Sequence, residues 1–321
     1  MLKFIMMPPW EERKRDWAMR LDAALPDYRV VVTETEADAK REIVDADAAF
    51  GWVPPDTLKV AQKLRWLQNP DAGSFVGYYY KELIEHPVVI CNPRGIYFDH
   101  LSHHIMMFIL GLARGLPYYV SAQLDGRWDR DARKSAYIDL AQASVLICGV
   151  GGVGHEAARL CTEFGMTVIG VDPRCEYEVP SVELHAPEAL DDLIPCADFV
   201  IATTPHTPET EGMWNESRFR LMKPTAYFIN IGRGKTTKID DLVYAIETGG
   251  IGGAGLDVFE EEPLPVGHKL WSLPNVLLTP HIAVPEGTSV TERRYEIILE
   301  NARRFAKDEP LKNVVDKALW Y

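Results

Sequence analysis

The chain has 321 residues, of which 47% are apolar and 25% are charged. This composition is typical of globular proteins, and the length is sufficient for about two domains. The formal net charge of −13 repels polyanions, so nucleic acid and anionic membrane surfaces are poor partners. No stretch is both long enough and uncharged enough to predict a membrane-spanning helix.

The cysteine pattern indicates reduced thiols in a reducing compartment. The five cysteines are scattered without a CxxC pair, which disfavours a disulfide framework or a zinc site. They are Cys91, Cys148, Cys161, Cys175 and Cys196. The apolar start, Met1 to Met7, is short and ends at Pro8-Pro9, so it predicts a strand and not a signal peptide. We therefore expect a cytoplasmic protein.

Residues up to about Cys91 alternate between short β-like runs and helical runs. Strands are predicted at Leu2–Met7, Tyr28–Val32, Ala48–Trp52, Arg65–Gln68 and Val88–Cys91. Helical spacing predicts helices within Glu11–Leu25 and Pro55–Lys63. Such alternation is typical of a parallel sheet with helices on both faces, and it predicts a small first domain.

The segment from Asp99 to Leu116 contains an apolar run with few polar residues. It predicts a buried helix connecting two domains, with Asp99 capping its start and Gly115 and Pro117 ending it. Its first turn contains three histidines, His100, His103 and His104. Their spacing on one helical face is compatible with a metal site, but no cysteine or carboxylate pair is placed to complete it. We therefore expect these histidines to lie between domains or at an interface, and we expect no metal.

A strand, a glycine turn, a helix and a second strand follow one another between Ser144 and Asp172. The turn reads Gly149-Val150-Gly151-Gly152-Val153-Gly154. Gly149 permits the tight turn, Gly151 permits approach of a pyrophosphate, and Gly154 permits close packing of the helix on the strand. A tight turn without a ligand uses the same glycines. The flanking elements and an acid 18 residues after Gly154 favour a dinucleotide site instead.

That acid, Asp172, bears on the choice of cofactor. A free ribose 2′-hydroxyl gains a charge-assisted bond of roughly 1.5–3 kcal/mol there, whereas a 2′-phosphate meets a negative charge. The sequence therefore favours NAD over NADP. Arg174 could partly accept a phosphate, which keeps NADP as the less favoured alternative.

Polar residues follow four predicted strands of the second half. The strands are Asp198–Ala202, Ala226–Ile231, Ala254–Leu256 and Asn275–Leu278. The segments after them are 203–206, 232–234, 257–263 and 279–281. Parallel sheets bind ligands outside the carboxyl ends of their strands, so we expect these segments at the same crevice as the glycine turn.

Three of these residues have the chemistry for carbonyl reduction. Arg233 presents a guanidinium that can hold a carboxylate bidentately, although a structural ion pair is its common alternative role. His281 is a candidate proton donor, against the alternative of a structural histidine. Glu262 would fix the tautomer of His281 and favour its protonated form, or it is one acid in a solvated run. Only their convergence on one crevice favours the functional interpretation.

With these motifs, the chain resembles the D-2-hydroxyacid dehydrogenase family, including its glyoxylate and hydroxypyruvate reductases. The resemblance covers nearly the whole chain, and its motifs include 230–234, 255–263, 279–283, 66–68, 71–73 and 94–96. It implies an α/β fold of two doubly wound parallel-sheet domains, one Rossmann and one flavodoxin-like, with a cleft between them. The implied domains are 1–99 plus 286–321 for the substrate and 100–285 for the dinucleotide. The tail helix, expected from Glu292 to about Phe305, would return to the first domain. A homodimer is implied as well.

The resemblance also implies roles for individual residues. Arg233, Glu262 and His281 would be catalytic, and Trp52, Ala72, Gly73, Arg233 and His281 would bind a 2-keto or 2-hydroxy acid. The cofactor, NAD, would contact Gly149, Gly151, Gly152, Val153, Gly154, Asp172, Pro173, Arg174, Thr204, Pro205, Thr210, Ile231, Gly232, Arg233, Asp257, His281 and Ala283. Among these, Asp257 and the Ile231 carbonyl region would orient the nicotinamide amide.

Two departures from the family pattern leave the substrate open. Thr204-Pro205-His206 stands where an apolar-proline-apolar loop is frequent, and His103 replaces a frequent glutamate. Two rival functions also remain. A formate dehydrogenase shares the fold but typically pairs its histidine with glutamine, which Glu262 argues against. An NAD(H)-sensing protein similar to the corepressors on this fold can retain the catalytic residues.

Overall fold

The computed structural model describes residues 1–72, 77–130, 137–174, 179–180, 182–284, 287–318 and 320. The chain divides into two compact units, Met1–Ile96 with Glu286–Tyr321, and Tyr97–Pro285. The first boundary therefore lies at residue 97, against the expected residue 100. Two of the residues named above, Gly73 and Cys175, lie outside the described residues.

The first unit is built on a parallel sheet in the order β2-β1-β3-β4-β5. Its strands are β1 (Leu2–Met6), β2 (Tyr28–Val32), β3 (Ala48–Phe50), β4 (Trp66–Gln68) and β5 (Val89–Cys91). Its helices are α1 (Glu12–Ala24), α2 (Glu36–Glu42), α3 (Pro55–Leu58), α4 (Lys81–Glu85) and, from the end of the chain, α11 (Thr288–Ala306). The helix predicted to reach Lys63 is too long, because the Gln62 N–H bonds to the carbonyl of Val44 and the chain turns towards β4.

Both faces of this sheet are buried. Ile5 lies in one apolar cluster with Leu83, while its neighbour Phe4 lies in another with Trp17 and Ile298. Neighbouring side chains on a strand point to opposite faces, so β1 supplies both cores, as a parallel sheet covered by helices requires. Ile298 belongs to α11, and the tail helix therefore completes the core of the first unit.

The second unit is built on a parallel sheet in the order β12-β11-β10-β9-β6-β7-β8. Its strands are β6 (Ser144–Cys148), β7 (Thr167–Val171), β8 (Val182–His185), β9 (Phe199–Ala202), β10 (Tyr227–Asn230), β11 (Gly253–Leu256) and β12 (Val276–Leu278). Its helices are α5 (Phe98–Ala113), α6 (Leu116–Leu124), α7 (Gly152–Glu163), α8 (Leu190–Leu193), α9 (Glu216–Phe219) and α10 (Ile239–Glu247).

The strand orders confirm the predicted fold class. The first sheet has the flavodoxin-like order 2-1-3-4-5, and the second has the Rossmann order 3-2-1-4-5-6 with a seventh strand added. In the second sheet the order reverses between β6 and β9, which is the switch point where such sheets bind nucleotides. The glycine turn leaves β6 at this point.

The connecting segment differs from its prediction at both ends. The helix α5 begins at Phe98 after Tyr97, and Asp99 lies in its first turn and does not cap it. Pro117 does not end this helix but stands in the first turn of α6, where a missing N–H costs no helical bond. Gly115, in the left-handed conformation, turns the chain between the two helices.

Among the described residues, no single helix is long and apolar enough to cross a membrane. The consecutive helices α5 and α6 meet the length and hydropathy criteria only when taken together, across a bend of 70°.

Candidate active site

The glycine turn after β6 requires glycine at two positions for the reasons expected from the sequence. Gly149 has φ = 98°, a left-handed conformation that side-chain-bearing residues rarely adopt. A Cβ atom at Gly154 would lie 2.1 Å from the carbonyl oxygen of Gly149, so only glycine allows α7 to pack this closely against the turn. The turn is therefore built for a close approach of backbone to backbone.

The start of α7 fits a pyrophosphate group. Gly151 precedes the helix without any side-chain cap, and a Cβ atom there would meet only Arg174, at an ordinary 3.6 Å. The free N–H groups and the dipole of this helix of 12 residues favour an anion at Gly151, Gly152 and Val153. Gly152 has an additional role that the sequence did not indicate, because a Cβ atom there would overlap the ring of Phe98 at 1.8 Å.

Asp172 lies at the end of β7, buried, and is paired with Arg174. Its Oδ1 accepts bonds from the backbone N–H of Arg174 at 3.0 Å and from Nε of the same residue at 3.1 Å. Pro173 lies between them. Because the guanidinium partly offsets the charge of the carboxylate, the ribose end of the site is less repulsive to a 2′-phosphate than Asp172 alone would make it.

The loops after four strands of the second sheet touch one another in sequence. A Cβ atom added to Gly149 would lie 3.0 Å from the Thr204 backbone nitrogen. One added to Gly232 would lie 2.7 Å from the Thr204 carbonyl oxygen. Gly234 lies against the loop after β11, since a Cβ atom there would be 1.7 Å from the carbonyl oxygen of Phe259. Glycines thus allow the predicted site segments to assemble at the carboxyl edge of the sheet.

The loop that carries Arg233 is held by Asn230, a fully buried residue at the end of β10. Asn230 accepts a bond from the Gly232 N–H at 3.0 Å and donates to the carbonyl of Arg233 at 3.2 Å and to the hydroxyl of Thr237 at 2.9 Å. The guanidinium of Arg233 donates to the Gly232 carbonyl at 2.7 Å. This role of Asn230 was not predicted, because asparagine is common at the ends of strands that lead into turns.

His281 and Glu262 meet as the sequence predicted. Nδ1 of His281 lies 2.7 Å from Oε2 of Glu262, and the other carboxylate oxygen accepts the Phe259 N–H at 2.9 Å. Both oxygens of Glu262 are thus engaged, which fixes the carboxylate against the imidazole. The side chain of His281 is 52% exposed, and its pairing with Glu262 uses Nδ1 and not Nε2.

Asp257 is committed to the loop that carries His281. It is 1% exposed, and its carboxylate accepts the N–H groups of Ile282 and Ala283, each at 3.0 Å, and the hydroxyl of Thr279 at 2.6 Å. The ring of His104 bonds that hydroxyl at 2.8 Å. Burial lowers the pKa of His104, and the nearby Asp257 carboxylate raises it, with burial the larger effect. His104 therefore bonds within its own unit, and the predicted contact of Asp257 with the nicotinamide stays a prediction.

The remaining predicted cofactor residues lie on the same edge of the second sheet. The hydroxyl of Thr210 donates to the carbonyl of Pro205 at 2.6 Å and so closes the loop after β9. Ile231 and Ala283 are buried beside the loops of Arg233 and His281. Their contacts with a cofactor stay predictions.

The predicted substrate residues of the first unit lie in its own strand-end loops. Trp52 follows β3 and is partly buried, and the carbonyl of Ala72 accepts a bond from the side chain of Asn92 at 3.0 Å. Their roles, like that of Gly73, stay predictions.

Within the described part of the chain, no group of three or more histidine, cysteine, aspartate or glutamate side chains is arranged to hold a metal ion. Burial raises the pKa of the Cys148 thiol, beside the glycine turn, to about 12. This thiol is therefore protonated near neutral pH and is no nucleophile.

Comparison with known proteins identifies the family. The profile of the family described as "D-isomer specific 2-hydroxyacid dehydrogenase, NAD binding domain" matches residues 106–283. A glyoxylate reductase of Pyrococcus furiosus is 30% identical over 91% of this chain and 90% of its own length. Glyoxylate/hydroxypyruvate reductase A of Photorhabdus laumondii is 33% identical over 69% of this chain and 68% of its own.

Solved structures match this chain over nearly its full length. A D-isomer specific 2-hydroxyacid dehydrogenase from Xanthobacter autotrophicus, solved with NADPH, has a TM-score of 0.86 and 28% identity, covering 99% of both chains. An NADPH-dependent glyoxylate/hydroxypyruvate reductase from Sinorhizobium meliloti, solved with NADP and sulfate, has a TM-score of 0.84 and 27% identity, covering 100% of both. The nucleotide of this fold is thus NAD or NADP. Profile, relatives and strand order together show that the chain is an oxidoreductase of the D-isomer specific 2-hydroxyacid dehydrogenase family.

Proposed function

We propose that the chain catalyses the reversible, NAD(P)H-dependent reduction of small 2-keto acids to D-2-hydroxy acids, with glyoxylate and hydroxypyruvate as the first candidates. The observation that carries the proposal is the 2.7 Å contact between His281 and Glu262, beside the loop of Arg233. Relatives named for glyoxylate and hydroxypyruvate reduction support the substrate class.

Each residue of the group has a distinct part in this reaction. His281, held by Glu262, donates a proton from Nε2 to the keto oxygen as it gains negative charge. Arg233 binds the substrate carboxylate and stabilises the charge that develops on the oxygen. A nicotinamide held at this site would supply the hydride for the keto carbon. In the reverse direction, neutral His281 takes the hydroxyl proton.

The nucleotide would be held by the start of α7 and the end of β7. The N–H groups at Gly151, Gly152 and Val153 suit the pyrophosphate, and the carboxylate of Asp172 suits a ribose hydroxyl. This arrangement supports binding of a dinucleotide whether or not the 2′-position carries phosphate, because Arg174 is beside Asp172.

A screen of glyoxylate, hydroxypyruvate, pyruvate and bulkier keto acids, each with NADH and with NADPH, tests the proposal. Turnover of at least one acid is expected, with chiral analysis of the product giving the D-isomer. Formate with NAD⁺ is included as a parallel assay. Formate oxidation without keto-acid reduction would favour a formate dehydrogenase, and tight NADH binding without any turnover would favour a nucleotide-sensing protein.

We propose further that this site, although able to hold either dinucleotide, prefers NADH over NADPH, and Asp172→Ala tests this preference. The variant loses a charge-assisted bond to the ribose, so its kcat/KM with NADH should fall by about 10-fold, which corresponds to roughly 1.4 kcal/mol. The value with NADPH should be unchanged or higher. Steady-state kinetics with both cofactors give the ratio.

Arg174→Ala is the matched variant for this test. It leaves the carboxylate of Asp172 without its guanidinium, so discrimination against NADPH should increase. An unchanged cofactor ratio in both variants would remove this pair from cofactor selection.

The proposed homodimer has a candidate surface on α6. Leu116, Val120 and Leu124 recur every four residues and are exposed, and Trp128 just beyond the helix is 95% exposed. Residues four apart share a helical face, and an exposed apolar stripe of this kind is typical of an interface. A second copy of the chain would bury it.

The double substitution Val120→Asp and Leu124→Asp should therefore convert a dimer to a monomer at micromolar concentration, as measured by light scattering after size-exclusion chromatography. Met19→Asp, at an exposed apolar residue of α1, is the control and should leave the mass unchanged. A dimer that survives the double substitution places the interface elsewhere.

A cytoplasmic location completes the proposal. It is supported by the four described cysteines, Cys91, Cys148, Cys161 and Cys196, which are free thiols. Cell fractionation tests it.

A further inference from the structure

His104, Thr279 and Asp257 form a chain of hydrogen bonds that the roles above do not use. His104 lies on α5, Thr279 follows β12, and Asp257 follows β11, so the chain ties three elements of the second unit together. Nε2 of His104 lies 2.8 Å from the Thr279 hydroxyl, and that hydroxyl lies 2.6 Å from Oδ1 of Asp257. Asp257 is almost fully buried.

The direction of each bond follows from the chemistry of the groups. An ionised carboxylate only accepts hydrogen bonds, so the Thr279 hydroxyl donates its one proton to Asp257. The hydroxyl oxygen then accepts a bond, and the donor is Nε2–H of His104. The ring of Phe108 packs edge-on against His104, with the centroids 4.9 Å apart, and this contact sets the orientation of the imidazole.

Asp257, at the other end of this series of hydrogen bonds, holds the backbone around His281. Asp257 accepts the N–H groups of Ile282 and Ala283, the two residues that follow His281. The His281 N–H bonds the carbonyl of Thr279 at 3.0 Å, and His281 itself has φ = 54°. This left-handed conformation is uncommon for a residue other than glycine and persists only where the surroundings enforce it.

We infer that His104 is a positioning residue: acting through Thr279 and Asp257, it holds the loop of His281 in the left-handed conformation that sets the imidazole against Glu262. The inference rests on the proposed function, in which His281 is the proton donor. Without the bond from His104, the Thr279 hydroxyl keeps only its bond to Asp257, and the loop loses one of the bonds that enforce its conformation. The proton donor is then less often aligned with the keto oxygen.

The test compares His104→Leu with His104→Gln, whose amide N–H can still donate to Thr279. In His104→Leu, kcat for keto-acid reduction should fall roughly 10- to 100-fold, because small misplacements of a reacting group have effects of that size. KM for the keto acid and Kd for NADH should change less than about twofold, since the lost contact acts on catalysis. His104→Gln should recover most of kcat. The control is His103→Leu, at the exposed histidine one residue earlier, which should behave as the unmodified protein.

A double-mutant cycle separates positioning from general structural support. In a His281→Ala background, His104→Leu should cost no further turnover, because the group that it positions is gone. An equal loss in both backgrounds, or a loss in kcat and NADH affinity together, would overturn the inference. Thr279→Val interrupts the same series of hydrogen bonds without changing α5. It should reproduce the kcat loss if His104→Leu does not fold.

A second readout keeps this inference separate from the proposed function. Absence of turnover of every keto acid by the unmodified protein would refute the function but not the positioning. The imidazole ¹⁵N chemical shifts of His281 then decide: the signature of the Nδ1 bond to Glu262 should be present in the unmodified protein and in His103→Leu, and weakened in His104→Leu. Identical His281 shifts in all three proteins would overturn the inference.

Discussion

His281→Ala is expected to lower kcat for keto-acid reduction by about 100- to 10,000-fold, the contribution of a positioned general acid. The structural reason is the pairing of Nδ1 with Glu262 at 2.7 Å, which leaves Nε2 as the edge that can face a substrate. NADH binding, measured by fluorescence titration, should be retained, because the start of α7 and Asp172 are unchanged in this variant. The loss should therefore appear in catalysis and not in cofactor affinity.

The pH dependence provides an internal check on the same variant. In the reductive direction the reaction takes a proton from its donor, so kcat/KM of the unmodified protein should show a limb that falls towards high pH. The variant should lack this limb. His103→Ala, at a surface histidine of the same unit, should keep it. Turnover that survives largely intact in His281→Ala would remove this residue from the mechanism.

Arg233→Gln should lower kcat/KM by about 100- to 1,000-fold, comparable with the loss of one preorganised donor to a developing oxyanion. The loop of Arg233 is held by Asn230 and packed against Phe259 through Gly234, so its guanidinium is presented from a rigid support. Glutamine keeps a hydrogen-bond donor but removes the charge and the planar fork. KM for the keto acid should rise as kcat falls, because the residue binds the substrate carboxylate as well.

Arg233→Lys separates the charge from the geometry. Lysine retains the positive charge without the bidentate fork, so it should recover only part of the lost kcat/KM. Arg220→Gln, at an exposed arginine paired with Glu216 on α9, is the matched control and should leave the kinetics unchanged. Equal kcat/KM values for Arg233→Gln and the unmodified protein would contradict the role assigned to Arg233.

Much of the second unit could be predicted from local patterns. The positions of β6, α7 and β7 follow from an apolar run, a glycine turn and helical spacing, and the structure places Gly149 and Gly154 where their missing side chains are required. The pair of His281 and Glu262 could be predicted because strand-end motifs of a parallel sheet are carried to the same edge. Other features were outside the reach of such patterns. Asp99 has the chemistry of a helix cap but lies inside the first turn of α5, and β8 was not anticipated.

Features that depend on neighbouring residues could be read from the sequence: where glycine permits a turn, which strands are buried on both faces, and which ionisable groups follow each strand. Backbone conformation and side-chain alternation are set within a few residues, so they leave a readable pattern. The partners of those groups depend instead on how the folded sheet is assembled. His104 and Thr279 are 175 residues apart in the chain, and the pairing of Asp257 with the loop of His281 joins separate strand ends. Such contacts arise when the sheet assembles, because the parallel order of its strands brings distant loops to one edge.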